Sequence, residues 1–172
     1  MAAILVFSSP GETLVRGHPQ AVPVGNTMRV AQQLAQRLAV PIQQIRPREP
    51  YPTDYHALLE RARTEHEQAA LPVLQSSSPI TDDVWFVGYP IWFGDLPRPV
   101  ATLLSQTSNP PRVLYPFATH EGSGLGRSIE TLTALAPTAT VMSGLPIRGS
   151  RADRAACALD HWLLQYFSTS QS

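Results

Sequence analysis

The sequence predicts an α/β fold, one domain over residues 1–172, built as a doubly wound parallel sheet with helices on both faces. Three observations carry this prediction. Short apolar runs alternate about five times with segments whose apolar residues recur at helical spacing. The strongest runs are apolar at nearly every position, as strands covered on both faces must be. Of 172 residues, 43% are hydrophobic, enough to bury the core of one domain.

Taken in order, residues 2–7 form a first strand, Ala-Ala-Ile-Leu-Val-Phe. Residues 8–24 hold Pro10, Gly11, Gly17, Pro19 and Pro23 and read as a long irregular loop. A loop of that length is usually functional or mobile. Residues 26–39 read as helix, with Val30, Ala31, Leu34, Ala35 and Leu38 on one face. Residues 41–46 are a second strand. Residues 54–70 read as helix, with Tyr55, Leu58, Leu59 and Ala62 inward and Glu60, Arg61, Arg63, Glu65 and Glu67 on a solvated face. Val84-Trp85-Phe86-Val87-Gly88-Tyr89 is the strongest strand and suits the centre of the sheet. A short helix over 99–106 leads to a fourth strand over 112–118. Ile129, Leu132 and Leu135 stripe a helix over 124–136. A β-branched strand over 138–142 precedes a terminal helix over 151–167, striped by Leu159, Trp162, Leu163 and Tyr166. Cys157 on that helix reads as a small core residue. The 17 prolines fall between these segments, so they punctuate the chain.

Composition excludes several chemistries. All 13 basic residues are Arg, which rules out a lysine Schiff base and a Walker phosphate loop. Thirteen acidic residues balance them without forming a basic stripe, so nucleic acid is a poor partner. A single Cys makes neither an internal disulfide nor a cysteine metal cluster, and no two of the five His have the i, i+4 spacing of a zinc helix. No apolar run reaches membrane-spanning length. The apolar start lacks a basic n-region, so the expected compartment is the cytoplasm.

In open sheets of this type, ligands bind at the carboxyl ends of the strands. Three loops meet there. After the first strand come Ser8 and then, beyond the insertion, Gly25-Asn26-Thr27 opening a helix. Free N–H groups and the helix dipole make such an end an anion site. Each hydrogen bond to a charged group contributes roughly 1.5–3 kcal/mol, so a few suffice for a phosphate without a lysine. The alternative is that Asn26 or Thr27 only caps the helix. After the third strand, Pro90-Ile91-Trp92-Phe93-Gly94 offers aromatic faces and a glycine for close approach. Its alternative is packing of Trp92 and Phe93 under a neighbouring loop. After the fourth strand, Thr119-His120-Glu121-Gly122-Ser123-Gly124 exposes backbone donors that suit a ring bearing carbonyls. It matches neither the dinucleotide fingerprint nor a nucleophile elbow. A hydrolase built on Ser123 and His120 lacks a third partner. His120 remains a candidate proton donor, against a structural role. The three loops together describe one phosphate pocket and one flat-ring pocket, which fits flavin mononucleotide (FMN).

The same stretches resemble the flavodoxin-like family, in the branch with an extra helix after strand two. The resemblance rests on Val24-Gly25-Asn26-Thr27, Glu49-Pro50-Tyr51-Pro52-Thr53-Asp54-Tyr55, Val87-Gly88-Tyr89-Pro90-Ile91-Trp92-Phe93-Gly94, the run from Pro116 to Gly126 and the run from Ala139 to Gly149. It covers nearly the whole chain, and the Trp loop also looks like that of flavin-dependent quinone reductases. It implies a five-stranded parallel sheet of order 2-1-3-4-5. It implies FMN with its phosphate on Ser8, Gly25, Asn26 and Thr27, and its ring between residues 90–94 and 119–124, stacked by Trp92 with Phe93 second. The chain departs from the pattern at Ala118, where many relatives have Cys, and at Glu121, where many have Gly. Carriers of the family are typically acidic around the flavin, and this chain is neutral.

The implied function is redox chemistry by an FMN flavoprotein. It would be an oxidoreductase of NAD(P)H-linked or quinone type, or an electron-transfer carrier, with a small-molecule or protein redox partner. A homodimer stays open. The alternative is a binding module that keeps the fold and has lost flavin.

Overall fold

The computed structural model describes residues 1–15 and 17–169. Strand β1 (Ala2–Val6) leads to β2 (Gly11–Val15) and β3 (His18–Val22). Helix α1 (Asn26–Leu38), β4 (Ile42–Gln44), α2 (Tyr55–Glu67), β5 (Val84–Pro90), α3 (Arg98–Gln106), β6 (Val113–His120) and α4 (Ser128–Leu135) follow. The chain ends with β7 (Thr140–Val141), β8 (Leu145–Arg148), a 3-10 turn (Gly149–Arg154), α5 (Ala156–Trp162) and α6 (Leu164–Thr169).

The main sheet runs β4-β1-β5-β6-β7, with β8 also on β6, and all its pairs are parallel. Strands β7 and β8 pair successive stretches of β6, Val113↔Thr140 and then Phe117↔Leu145 through His120↔Arg148. They are one fifth strand, broken at residues 142–144 and longer than the expected 138–142. The Trp162 indole (2.6 Å) and the Gln165 amide (3.1 Å) donate to the Ser143 carbonyl, which satisfies the backbone at the break. Counted this way, the sheet has the order 2-1-3-4-5.

Period-two alternation divides the core into two layers. Ala3, Leu5, Trp85, Val87, Tyr89 and Leu114 pack with Leu96, Val100 and Leu104 and with Leu132 of α4. Ile4, Val6, Phe86, Tyr115 and Phe117 pack against Val30, Ala31 and Leu34 of α1 and Leu159, Trp162 and Leu163 at the end of the chain. The Phe117 ring lies over Gly88, where a Cβ would stand 2.2 Å from it. Among the described residues, no helix is long and apolar enough to cross a membrane.

Three expectations are corrected. The 8–24 segment is not irregular, because β2 and β3 pair antiparallel from Gly11↔Val22 to Val15↔His18. Gly17 at the turn has φ +83°, a conformation glycine adopts without steric cost. The hairpin sits apart from the main sheet and against α2. The terminal helix is three pieces rather than one, since a 3-10 turn precedes α5 and α6. Cys157 is exposed. It lies two residues from buried Leu159, about 200° around a helix, and so faces away from the core.

Candidate functional site

The carboxyl ends of β1, β5 and β6 open into a cleft of about 370 Å³. That lies within the usual range of small-ligand pockets, about 300–1,000 Å³. Ser8, Gly25, Asn26 and Thr27 line one part of it. Pro90, Ile91, Trp92, Phe93 and Gly94 line another, and Thr119, His120, Glu121, Gly122 and Ser123 a third. Of the residues expected from sequence, Gly124 alone is absent from the lining; it turns the backbone just beyond it at φ +62°.

The first part is a cradle. The chain enters α1 through Gly25, which supplies no side-chain cap. Ser8 Oγ accepts from the Met28 N–H at 3.3 Å, and a Cβ on Gly25 would stand 2.3 Å from that oxygen. Position 25 therefore excludes a side chain. The N–H groups of Asn26 and Thr27 have no intrahelical acceptor, being in the first turn. The Thr27 and Thr119 hydroxyls, both buried, lie 2.7 Å apart. One bond uses one of their two protons. The other proton has no acceptor among the described residues, so it is free for an oxygen in the cleft.

The second part is a tight turn. Trp92 and Asp95 exchange both backbone hydrogen bonds (2.9 and 3.0 Å) around Phe93 and Gly94, whose φ values are +51° and +71°. Two left-handed residues in succession define this hairpin turn. Gly94 adopts the conformation freely, whereas Phe93 is held in it at a cost of about 1–3 kcal/mol. The Arg127 N–H donates to the Gly94 carbonyl at 2.7 Å, and Asp95 accepts from Thr131 at 2.8 Å, so α4 and its approach clamp the turn. Trp92 packs edge-on against Phe7 (5.2 Å between centroids) and Tyr51 (5.1 Å). Phe93 is the more open ring, 38% exposed, with His66 and the Arg63 guanidinium each 5.8 Å from its centroid.

The third part carries the charge. Burial, and Arg148 after it, hold the His120 imidazole below its ordinary pKa, and buried Nδ1 has no hydrogen-bond partner among the described residues. Burial pushes the Glu121 carboxyl up, with Arg148 opposing. Glu121 Oε1 and Asn26 Nδ2 both close on Gly149, 2.3 and 2.6 Å from where a Cβ would be. The carboxylate thus stands beside the cradle.

Sequence reasoning missed Ser9, Tyr55, Leu58, Leu59 and Ala62 in the lining. The last four are the inward stripe of α2. The signal was present, but periodicity does not say whether a stripe faces core or cleft. The expected solvated face of α2 is also corrected at Arg61 and Glu65. Arg61 pairs with Glu65 at 3.0 Å, donates to the carbonyls of Pro50 (2.7 Å) and Glu49 (2.9 Å), and lies 4.1 Å from the centre of the Tyr51 ring. The Tyr51 hydroxyl donates to Glu65. This clasp ties α2 to the segment under Trp92. Chemically, the cleft offers donors for an anion at one end and a slot for a flat ring between α2 and the two loops.

A family described as Flavodoxin matches residues 21–165. The chain belongs to the flavodoxin family. Among solved structures, this flavodoxin-family chain is similar to a protein of Bacteroides eggerthii DSM 20697, provisionally described as a flavoprotein. The two are 26% identical over 94% of each chain, with a TM-score of 0.74. A second such protein, from Bacteroides uniformis ATCC 8492, is 21% identical over 94% of this chain and 96% of its own, with a TM-score of 0.75. A flavoprotein from Lactobacillus acidophilus NCFM, solved in complex with FMN, shares the fold. It has a TM-score of 0.64 and 19% identity over 89% of this chain and 96% of its own. No curated protein matches the sequence.

Proposed function

We propose that this protein binds FMN in the cleft and acts as a redox flavoprotein, more as a reductase than as a carrier. One observation carries the reading. An anion cradle and a flat, partly apolar slot converge where β1, β5 and β6 end.

The residues fit the group. Ser8, the Asn26 amide, the first N–H groups of α1 and the spare threonine proton would hold a phosphate without a lysine. Leu58, Leu59, Ala62, Ile91 and Phe93 would exclude water from the ring. The unpartnered Nδ1 of His120 and the backbone donors of residues 119–123 are available to polar ring edges. FMN, when bound, supplies the exchange of electrons and hydride; the protein supplies binding, orientation and electrostatics. A neutral chain, with Arg63 and Arg148 near the cleft, lacks the strongly acidic field that steers carriers to basic partners. This supports the reductase reading, with NADH or NADPH as the donor and a quinone-like acceptor.

The test is the visible spectrum of purified protein, chromatography of the released pigment, and stopped-flow reduction by NADH and NADPH. Flavin bands with about one FMN per chain are expected, followed by bleaching with one of the two donors. One observation favours the alternative of a flavin-free binding module, namely the Glu121 carboxylate beside Asn26. A colourless protein that leaves FMN fluorescence unquenched would establish that module instead.

A further inference from the structure

We propose that Arg148 is a positive charge beside the cleft that raises the reduction potential of the cofactor, opposed by Glu121. This rests on the FMN reading above.

Arg148 closes β8 and stands in parallel register with His120 at the end of β6. Its Nη2 lies 3.5 Å from where a Cβ on Gly122 would be, so the guanidinium sits directly on the loop at residues 120–122. The next residue, Gly149, is buried with Glu121 and Asn26 closed around it. The backbone that carries Arg148 is thus held from both sides, by the strand pairing and by this seat. Among the described residues, the Arg148 side chain forms no ion pair and no hydrogen bond. Its charge is therefore not tied up in an ion pair. Its field is felt locally, lowering the affinity of His120 for a proton and opposing the burial effect on Glu121. Both burial and Arg148 thus disfavour a second cation at His120. On the other flank, Arg63 lies over Phe93.

The physical consequence follows from charge balance. Two-electron reduction of an oxidised flavin with uptake of one proton leaves the ring with one additional negative charge. A nearby cation stabilises that product and a nearby anion destabilises it. Unit charges several ångströms apart at a partly exposed site shift such an equilibrium by roughly three- to thirtyfold. A tenfold shift in a two-electron couple is about 30 mV.

The experiment is an anaerobic spectroelectrochemical titration, with dithionite as reductant, of FMN-loaded wild type, Arg148→Gln, Arg148→Lys and Glu121→Gln. Circular dichroism and FMN stoichiometry are measured on each. Arg148→Gln should lower the potential, Arg148→Lys should restore most of it, and Glu121→Gln should raise it. Opposite signs are the decisive feature, because a loss of packing at either residue would not reverse direction with charge. Potentials that stay fixed, or move the same way in both glutamine variants while FMN stays bound, overturn the proposal alone. A wild-type protein that takes up no FMN overturns the functional reading as well. If Arg148→Gln fails to fold, the Glu121→Gln shift and the Arg148→Lys potential decide: an unchanged or lowered potential in Glu121→Gln is then the overturning result.

Discussion

The hydroxyls of Thr27 and Thr119, 92 residues apart in sequence, lie 2.7 Å from each other beneath the cleft. One belongs to the first turn of α1 and the other to the end of β6, so this pair joins the start of α1 to the loop that follows β6. Thr27→Val or Thr119→Val alone strands a buried hydroxyl and should cost about 1–3 kcal/mol. The double variant should be closer to wild type, because replacing both partners by apolar groups of the same shape is nearly neutral. Urea unfolding of the three variants measures this, and single costs that simply add would refute the coupling. FMN affinity should fall about tenfold in the double variant, since the spare proton is gone.

Gly25→Ala tests the cradle. The new methyl would stand 2.3 Å from Ser8 Oγ and 3.0 Å from the Ser9 carbonyl oxygen, so the Ser8 hydroxyl must leave the Met28 N–H. FMN affinity, read by quenching of flavin fluorescence, should drop by at least about tenfold, the loss of one charge-assisted bond. Unchanged affinity would place the phosphate elsewhere.

Phe93→Gly separates stability from function. Glycine relieves the left-handed strain at φ +51°, and the ring it removes is 38% exposed. The thermal midpoint should hold or rise, because about 1–3 kcal/mol of strain offsets the lost contacts and the added chain entropy. Flavin affinity should fall as an aromatic wall of the slot disappears. A variant that loses stability and keeps affinity would make Phe93 a packing residue.

Glu121 gives the site a pH signature. Its folded pKa is raised, chiefly by burial. Between the ordinary carboxylate value and the raised one, the folded state binds more protons than the unfolded state, so stability falls as pH rises through that window. Glu121→Gln should therefore melt above wild type at pH 7.5, with the gap closing in acid below the ordinary value. Its FMN affinity at neutral pH should rise roughly three- to tenfold as repulsion of the phosphate is removed. A gap that persists unchanged at pH 4 would show that the effect is not electrostatic.

The sequence by itself determined the alternation of strands and helices, the parallel central strand over residues 84–89 and the glycine-bearing turns at strand ends. Each of these rests on local chemistry: apolar runs, helical periodicity, and glycine where a turn or close approach demands it. Ser8, Gly25, Trp92 and His120 were legible as neighbours because a doubly wound topology fixes which strand ends meet. Tertiary structure decided what each buried stripe faces. Tyr55, Leu58, Leu59 and Ala62 read as core and became a wall of the cleft, since periodicity reports that a face is covered and not by what. It decided that residues 11–22 pair with each other, that Arg61 and Glu65 clasp Tyr51, and that Cys157 faces outward. It also placed Arg148 in register with His120. That pairing depends on where the fifth strand breaks and resumes, through contacts between residues far apart in the chain.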